Sequence, residues 1–288
     1  MRRKLQMTQN NLRERIASKE IILMDGAMGS ELMKHPEYAG NHPSELNINN
    51  PEIAMAIHRA YVEAGAEMII TNTFDVNPRK YDNYAEIIAA AVKAARAVEA
   101  SYVGLDIGPL GELFYPMGRL REDEAFECFK AIASEGVKAD VDFFMIETMT
   151  DENEAKAALR AVREVSDLPV ILSGAFNKRG SLFVTGGKPA VLAKIAEEFG
   201  ADAVGANCSY GPDLLLPIIE EYAGCTSLPI VAKPNAGMPD MTSGKAVYDI
   251  GPEDFAGYMQ RLVEAGATVI GGCCGTTPEY INALTHIE

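Results

Sequence analysis

The sequence predicts an α/β domain built as an eight-stranded parallel barrel, and three observations carry that prediction. Short apolar segments alternate with amphipathic stretches of helical period along nearly the whole chain, in the order strand, helix, strand. Several apolar segments, such as Phe143-Phe144-Met145-Ile146, lack the strict alternation of a half-exposed strand, as expected of parallel strands covered on both faces. The strand-helix unit is counted eight times within 288 residues, with no composition break or low-complexity tract to mark a second domain. That is the size and rhythm of one TIM (β/α)8 barrel.

The elements follow in order. A polar segment of helical period around residues 8–19 is expected to form an N-terminal extension over residues 1–20, ahead of a barrel over 21–288. The first strand, Ile21-Ile22-Leu23-Met24, runs into the loop Asp25-Gly26-Ala27-Met28-Gly29-Ser30. The connection from Lys34 to Asn50 carries turn chemistry throughout and ends on the helix start Pro51-Glu52. That helix, 51–64, places Ile53, Ile57, Ala60 and Tyr61 on one face and stops at Gly65. Strand 67–74 follows, then helix 84–100, strand 101–107, helix 121–138, strand 141–147 and helix 151–165. The second half reads as strand 169–176, helix 189–199, strand 201–207, helix 212–223, strand 229–233, helix 252–265 and strand 267–272. A last helix opens at Thr277-Pro278-Glu279, with Thr as N-cap and Pro at the first helical position.

Composition narrows the function classes. A formal charge of -15 without a basic stripe argues against nucleic acid or an anionic membrane as partner. The N-terminus has no apolar h-region, and no apolar run approaches spanning length, so a cytoplasmic protein is expected. Five cysteines, two of them adjacent, make a poor disulfide framework and fit a reducing compartment.

In a barrel of this kind chemistry sits at the C-terminal ends of the strands. Those ends collect Asp25, Asn72, Asp106, Glu147, Ser173, Asn207, Cys208, Asn235, Cys273 and Cys274 round one mouth. Cys208 follows the strand Ala201-Asp202-Ala203-Val204-Gly205-Ala206-Asn207, and Cys273-Cys274 follow Ala267-Thr268-Val269-Ile270 within a glycine-rich loop. Three thiolates without a fourth protein ligand suit Zn²⁺ with an open position, the pattern of a catalytic site. The competing reading is buried reduced thiols packed in tight strands. Asp25 has a second reading as the Asx residue of a turn, whereas Glu147 is a charge at the end of an apolar strand. Cys128 and Cys225 are read as structural.

The stretches Asp25–Leu32, Thr71-Asn72-Thr73-Phe74, Gly108-Pro109-Leu110-Gly111, Glu147-Thr148, Gly205-Ala206-Asn207-Cys208, Pro234-Asn235-Ala236-Gly237 and Gly271-Gly272-Cys273-Cys274-Gly275 resemble the homocysteine S-methyltransferase family. That family includes the homocysteine-binding domain of cobalamin-dependent methionine synthase. The resemblance implies zinc-dependent methyl transfer to the thiol of homocysteine, giving methionine, with Zn²⁺ held by Cys208, Cys273 and Cys274. It also implies that Asp25 and Glu147 hold the substrate ammonium and that the amides of Gly26, Ala27 and Met28 receive its carboxylate. By the same resemblance the side-chain oxygen of Asn235 fills the fourth zinc position without substrate, and no catalytic residue is needed beyond the zinc-activated thiolate. Ser30 stands where Thr is usual, and 34–50 is the least family-like segment.

The segments 111–118 and 235–248 look closer to the cobalamin-dependent enzyme. The chain ends thirteen residues after Gly275 and lacks an Asp-x-His-x-x-Gly string. The expected donor is therefore a methyl-corrinoid, methylcobalamin bound elsewhere and supplied in trans by a corrinoid protein. The alternative donor is S-methylmethionine or betaine, its cation held in an aromatic pocket from Phe74, Phe114 and Tyr115. An alternative from another class is a zinc-storage or thiol redox protein, which predicts exposed, low-pKa cysteines. A corrinoid or folate methyltransferase barrel without homocysteine would leave the three-cysteine site unexplained.

Overall fold

The computed structural model describes residues 12–38, 42–240 and 246–287. Its barrel strands are β1 (Ile22–Leu23), β2 (Met68–Ile70), β3 (Tyr102–Ile107), β4 (Phe143–Met149), β5 (Val170–Gly174), β6 (Ala203–Cys208) and β7 (Ile230–Pro234). A two-stranded antiparallel ribbon, β8 (Pro239–Asp240) and β9 (Val247–Tyr248), comes before the last barrel strand, β10 (Ala267–Ile270). Around the barrel lie α1 (Pro51–Glu63), α2 (Tyr84–Arg96), α3 (Glu122–Lys138), α4 (Glu152–Val165), α5 (Pro189–Glu198), α6 (Pro212–Cys225), α7 (Pro252–Glu264) and α8 (Pro278–Leu284). Five of these helices open on Pro, whose fixed φ suits the first turn and whose missing N–H would have no partner there. On α4, Asp151 takes the cap instead, its carboxylate accepting from the Asn153 amide at 2.8 Å.

Every barrel pairing is parallel, in the order β1-β10-β7-β6-β5-β4-β3-β2. The ring closes where β1 meets β2: Met24 bridges Met68, the Glu67 amide donates to Leu23 O at 2.9 Å, and the Asp25 amide donates to Met68 O at 3.0 Å. The predicted eight-stranded barrel is thus the observed one. Boundaries moved where loops compete with strands. β2 stops at Ile70 because Thr71 to Val76 turns on itself, with Thr73 N–H donating to Thr71 O at 2.9 Å. The 34–50 segment, in its described part, holds short 3₁₀ turns at Pro36–Tyr38 and Pro43–Glu45 and a helical turn at Leu46–Asn49. Asn47 pins it to the barrel by donating to Asn72 O at 2.7 Å. α6 continues to Cys225, which ends the helix rather than lying in a loop.

The barrel interior is filled by inward positions of alternate residues, among them Met24, Met68, Phe143, Met145, Val231 and Val269. Gly104 is what admits the Phe143 ring, since a Cβ there would sit 2.3 Å from it. The same cluster contains Leu12 and Ile16, four residues apart on one face of a helical stretch over 12–17 and both fully buried. The expected N-terminal extension is, in its described part, a plug. Arg13 fixes its depth, with contacts of 2.6 Å to Asp202 Oδ1 and to Asp167 O, residues that lie just before β6 and β5. The plug therefore seals the N-terminal mouth and leaves the other end for a cavity. Residues 8–11 of the predicted helix lie outside the described residues. No described helix is long and apolar enough to cross a membrane.

His58 lies on α1, fully buried, with neither ring nitrogen partnered among the described residues. Burial lowers its pKa to about 4 against an opposing pull from Asp25, so the ring is neutral at neutral pH. The unfolded chain, with His near 6.5, binds the extra proton first as pH falls. Native stability contributed by this site is complete above pH 6.5 and lost on the way to pH 4. Relative to His58→Leu, the wild-type protein is expected to lose about 2.5 kcal/mol between pH 7.5 and 4.5, read by urea unfolding at the two pH values.

Candidate active site

A cavity of about 1110 Å³ opens at the C-terminal mouth. Its walls come from the loops after β1, β2, β7 and β10, and Asp106, Glu147, Cys208 and Lys233 reach it from the strands. All three strand-end thiols border it.

Cys208 closes β6 with φ +58°, and Ser209 follows at φ +65°. Two successive left-handed residues turn the chain sharply at the strand end, a conformation that non-glycine residues adopt only where the surroundings enforce it. Cys273 and Cys274 occupy the loop after β10, which is pinned on both sides. Toward β7, Cys273 N–H donates to Pro234 O at 2.8 Å and Ala236 N–H donates to Cys274 O at 3.0 Å. Toward β1, Gly272 N–H donates to Asp25 O at 3.0 Å and Gly275 N–H donates to Ser30 Oγ at 3.1 Å. Tyr61 OH bridges the two loops, donating to Ala27 O and Thr276 O. Gly275 takes φ +83° under the Tyr248 ring, where a Cβ would collide at 2.3 Å.

The three Sγ atoms lie within 4.8 Å of one another, with Cys208 and Cys274 at 4.0 Å. Tetrahedral Zn²⁺ with metal–sulfur bonds of about 2.3 Å places sulfurs roughly 3.8 Å apart, so the cluster fits the ion with small adjustments. Among the described residues this is the one group of His, Cys, Asp or Glu found with that geometry. Neither Cys128 nor Cys225 belongs to it. Without metal the thiols hold their protons. Cys208 stands at about 12, where a hydrogen bond with Cys273 that lowers it is outweighed by the contact with Cys274 and by burial. Cys274 also stands at about 12, a hydrogen bond with Cys208 lowering it less than the contact with Cys273 and burial raise it. Cys273 is pushed well above the ordinary value by its hydrogen bond with Cys208 and by burial. A redox switch calls for the opposite, depressed values at exposed thiols. Asn235 stands next to the cluster in the fold, its Oδ1 buried without a partner among the described residues and its amide donating to Tyr210 O.

Beneath the thiols lies an ionic layer that the sequence reading met only in part. Lys233, on β7, is fully buried and holds Asp25 Oδ1 at 2.9 Å. The other oxygen, Asp25 Oδ2, accepts from the Ile70 amide at 2.8 Å. Burial works against the lysine charge, but Asp25 and Glu147 more than offset it and its pKa is raised. Glu147 and Asp106 are buried, each with one oxygen that finds no partner among the described residues. Burial raises both their pKa values; the Glu147 charge adds to the rise at Asp106 and Lys233 opposes it at both. Lys233 had a signal in the sequence: Val231 points inward, so the residue two further along does too, and a lysine there needs a buried counter-charge.

Other strand-end residues tie the rim together. Asn207 Oδ1 accepts from Thr148 N–H and Ser173 Oγ, joining β4, β5 and β6. Asn72 donates to Pro43 O. The Ala27 amide already donates to Thr276 Oγ1 at 3.1 Å, which leaves the neighbouring amides of Gly26 and Met28 to meet a ligand. Of the three aromatic residues considered for a cation pocket, Phe74 lines the cavity, Phe114 is buried in the outer core, and Tyr115 is exposed with Arg121 over its ring.

A parallel barrel that gathers three thiols over a buried ionic layer, at the rim where barrel enzymes work, defines a thiol-cluster enzyme of the (β/α)8 class. The model of the homocysteine S-methyltransferase family matches residues 22–287, and the chain belongs to that family. A methionine synthase from Mycobacterium leprae (strain TN) is 27% identical over 293 residues, covering 93% of this chain; this chain spans 24% of that protein. Among solved structures, the homocysteine methyltransferase MmuM from Escherichia coli aligns at TM-score 0.78 in its metallated form and 0.75 in its apo form. Both are 23% identical, covering 95% and 93% of this chain and 98% and 96% of those chains.

Replacing Lys233 by Met should leave the buried Asp25 carboxylate without its counter-charge and cost about 3–5 kcal/mol in urea unfolding. Adding Asp25→Asn to that variant should recover most of the loss, because the stranded charge is then gone.

Proposed function

We propose that this protein transfers a methyl group to the thiol of homocysteine, forming methionine, with Zn²⁺ held by Cys208, Cys273 and Cys274. The observation that carries the reading is the convergence of three thiols and two unpaired buried carboxylates on one cavity. When bound, Zn²⁺ supplies Lewis acidity that keeps a coordinated substrate thiol deprotonated at neutral pH. The chain's own residues do the rest. Gly26 and Met28 line the cavity and supply amides for the amino-acid carboxylate, and Glu147 supplies a negative charge for its ammonium. Asp25 acts on the same charges through Lys233, and Asn235 offers an unpaired oxygen as a fourth metal ligand when no substrate is present.

The donor we favour is a methyl-corrinoid presented by a separate domain or protein. Two features support it. The cavity exceeds the roughly 300–1,000 Å³ that serves a drug-sized ligand, far more than homocysteine fills. Around it, Met33, Phe74, Tyr115, Met117, Phe183 and Met238 are all exposed on loops that follow barrel strands, an apolar rim suited to a docking partner. A small sulfonium or ammonium donor would need an aromatic enclosure, and Phe74, Phe114 and Tyr115 do not build one together.

Metal analysis of protein purified without chelator is expected to find about one zinc per chain. Cys273→Ser should lose metal and methyl transfer while circular dichroism stays native; full activity of metal-free protein would sink the reading. In a donor panel with homocysteine, methylcobalamin or a methylated corrinoid protein should yield methionine. Rapid turnover with S-methylmethionine or betaine, and none with the corrinoid, would reverse the choice of donor.

A further inference from the structure

Beyond β7 the chain leaves the rim at Asn235 and comes back at Ile250, and the returning arm carries Tyr248 to the thiols. Both arms are braced. On the way out, the Ala236 amide donates to Cys274 O at 3.0 Å; on the way back, the Ile250 amide donates to Ala236 O at 3.1 Å, and Ile250 O accepts from Tyr280 OH at 2.6 Å. Asp249 Oδ1 ties the arms together by accepting from the Met238 amide at 3.1 Å, and β8 pairs with β9 so that Pro239 lies opposite Tyr248. The Tyr248 ring rests on Gly275, the residue after Cys274, where any Cβ would meet ring carbons at 2.3–2.6 Å.

From that seat the Tyr248 hydroxyl makes a hydrogen bond with the Cys274 side chain, and both residues line the cavity. A phenol titrates near about 10 and keeps its proton at neutral pH, whereas a metal-bound cysteine is a thiolate with no proton to give. With zinc in place the bond therefore runs one way, from oxygen to sulfur. Cys208 has a donor of its own in the backbone amide of Ser209.

Once a substrate thiol joins the cluster, an electrophilic methyl group entering the cavity meets several sulfurs. Methylation of a ligand cysteine would form an S–C bond there, cancel the thiolate charge and weaken the hold on the metal. A hydrogen bond draws on the lone pair that would attack, so it quiets the one sulfur that accepts it.

We propose that Tyr248 is a positioning residue that acts through Cys274: its hydroxyl donates to the Cys274 thiolate, keeping that ligand on the metal and leaving the methyl group to the substrate thiol. The inference rests on the zinc and homocysteine reading and deepens it, naming what separates the sulfur that reacts from a sulfur that binds. The braced hairpin is what makes the role possible, since a hydroxyl on a loose loop would not stay on one sulfur. Gly275 has the matching part, because only a residue without a side chain lets the ring lie close enough.

The test exposes zinc-loaded wild-type and Tyr248→Phe protein to iodomethane without homocysteine. Each methylation forms one S–CH3 bond, breaks one C–I bond and releases iodide, and fragmentation mass spectrometry reads it cysteine by cysteine. Tyr248→Phe keeps a ring on Gly275 and loses only the donor. Cys274 should then be methylated roughly 2- to 12-fold faster than in wild type, the range of one hydrogen bond, with Cys208 within about twofold. In cobalt(II)-substituted protein the sulfur-to-metal charge-transfer band should move to lower energy in Tyr248→Phe, because a thiolate without its donor gives up an electron more readily; a ring that only packs predicts no shift. An unmoved band with Cys274 methylated at the wild-type rate, or an equal gain at Cys208 and Cys274, overturns the assignment while the zinc reading stands. Wild-type protein that takes up neither zinc nor cobalt overturns both.

Discussion

Asp25 is the knot of this barrel. Its amide donates to Met68 O, its carbonyl accepts from Gly272, one carboxylate oxygen accepts from Ile70 and the other holds Lys233. One residue thereby joins the ends of β1, β2, β7 and β10. β1 itself is two residues long, too short to close a ring by ladder hydrogen bonds alone. The side chain supplies what the ladder lacks, and the cost of burying its charge is offset by Lys233, whose ammonium lies 2.9 Å from it.

That arrangement decides how the rim is charged. Asp106, Glu147 and Lys233 lie in the barrel interior, so burial first and then one another's charges set their protonation. The Cys273-Cys274 loop cannot shift without pulling on Asp25 through Gly272, on Ser30 through Gly275 and on Pro234 through Cys273. The loop that carries two of the thiols is thus held by the same strand ends that carry the ionic layer, and the thiol cluster and barrel closure are mechanically one unit.

Much of this was legible in the sequence. Apolar runs without alternation, helices opened by proline, and cysteines at two strand ends were enough for the barrel, the rim and the three-thiol cluster. The partners were not legible, because they come from contacts far apart in the chain: Asp25 and Lys233 are separated by 208 positions. Nothing local to Lys233, the last residue of its predicted strand, marks it as buried; the inward parity of Val231 does. The N-terminal segment read as a polar extension because its charged face outnumbers its apolar one; two side chains, Leu12 and Ile16, suffice to make it part of the core.

The plug also bears on how the chain folds. Arg13 reaches Asp202 across 189 positions and Asp167 across 154, residues that lie just before β6 and just before β5. The inner face that receives Leu12 and Ile16 includes Ile171, Ala203, Val231 and Val269, so it is complete only when the last strand has paired. The earliest described segment is consequently among the last to dock. Contacts of such span slow the search for the native state, because the entropy of closing the long loop is lost before any contact compensates it. A ribosome-bound chain would hold these two apolar side chains in water until synthesis of the barrel is nearly finished.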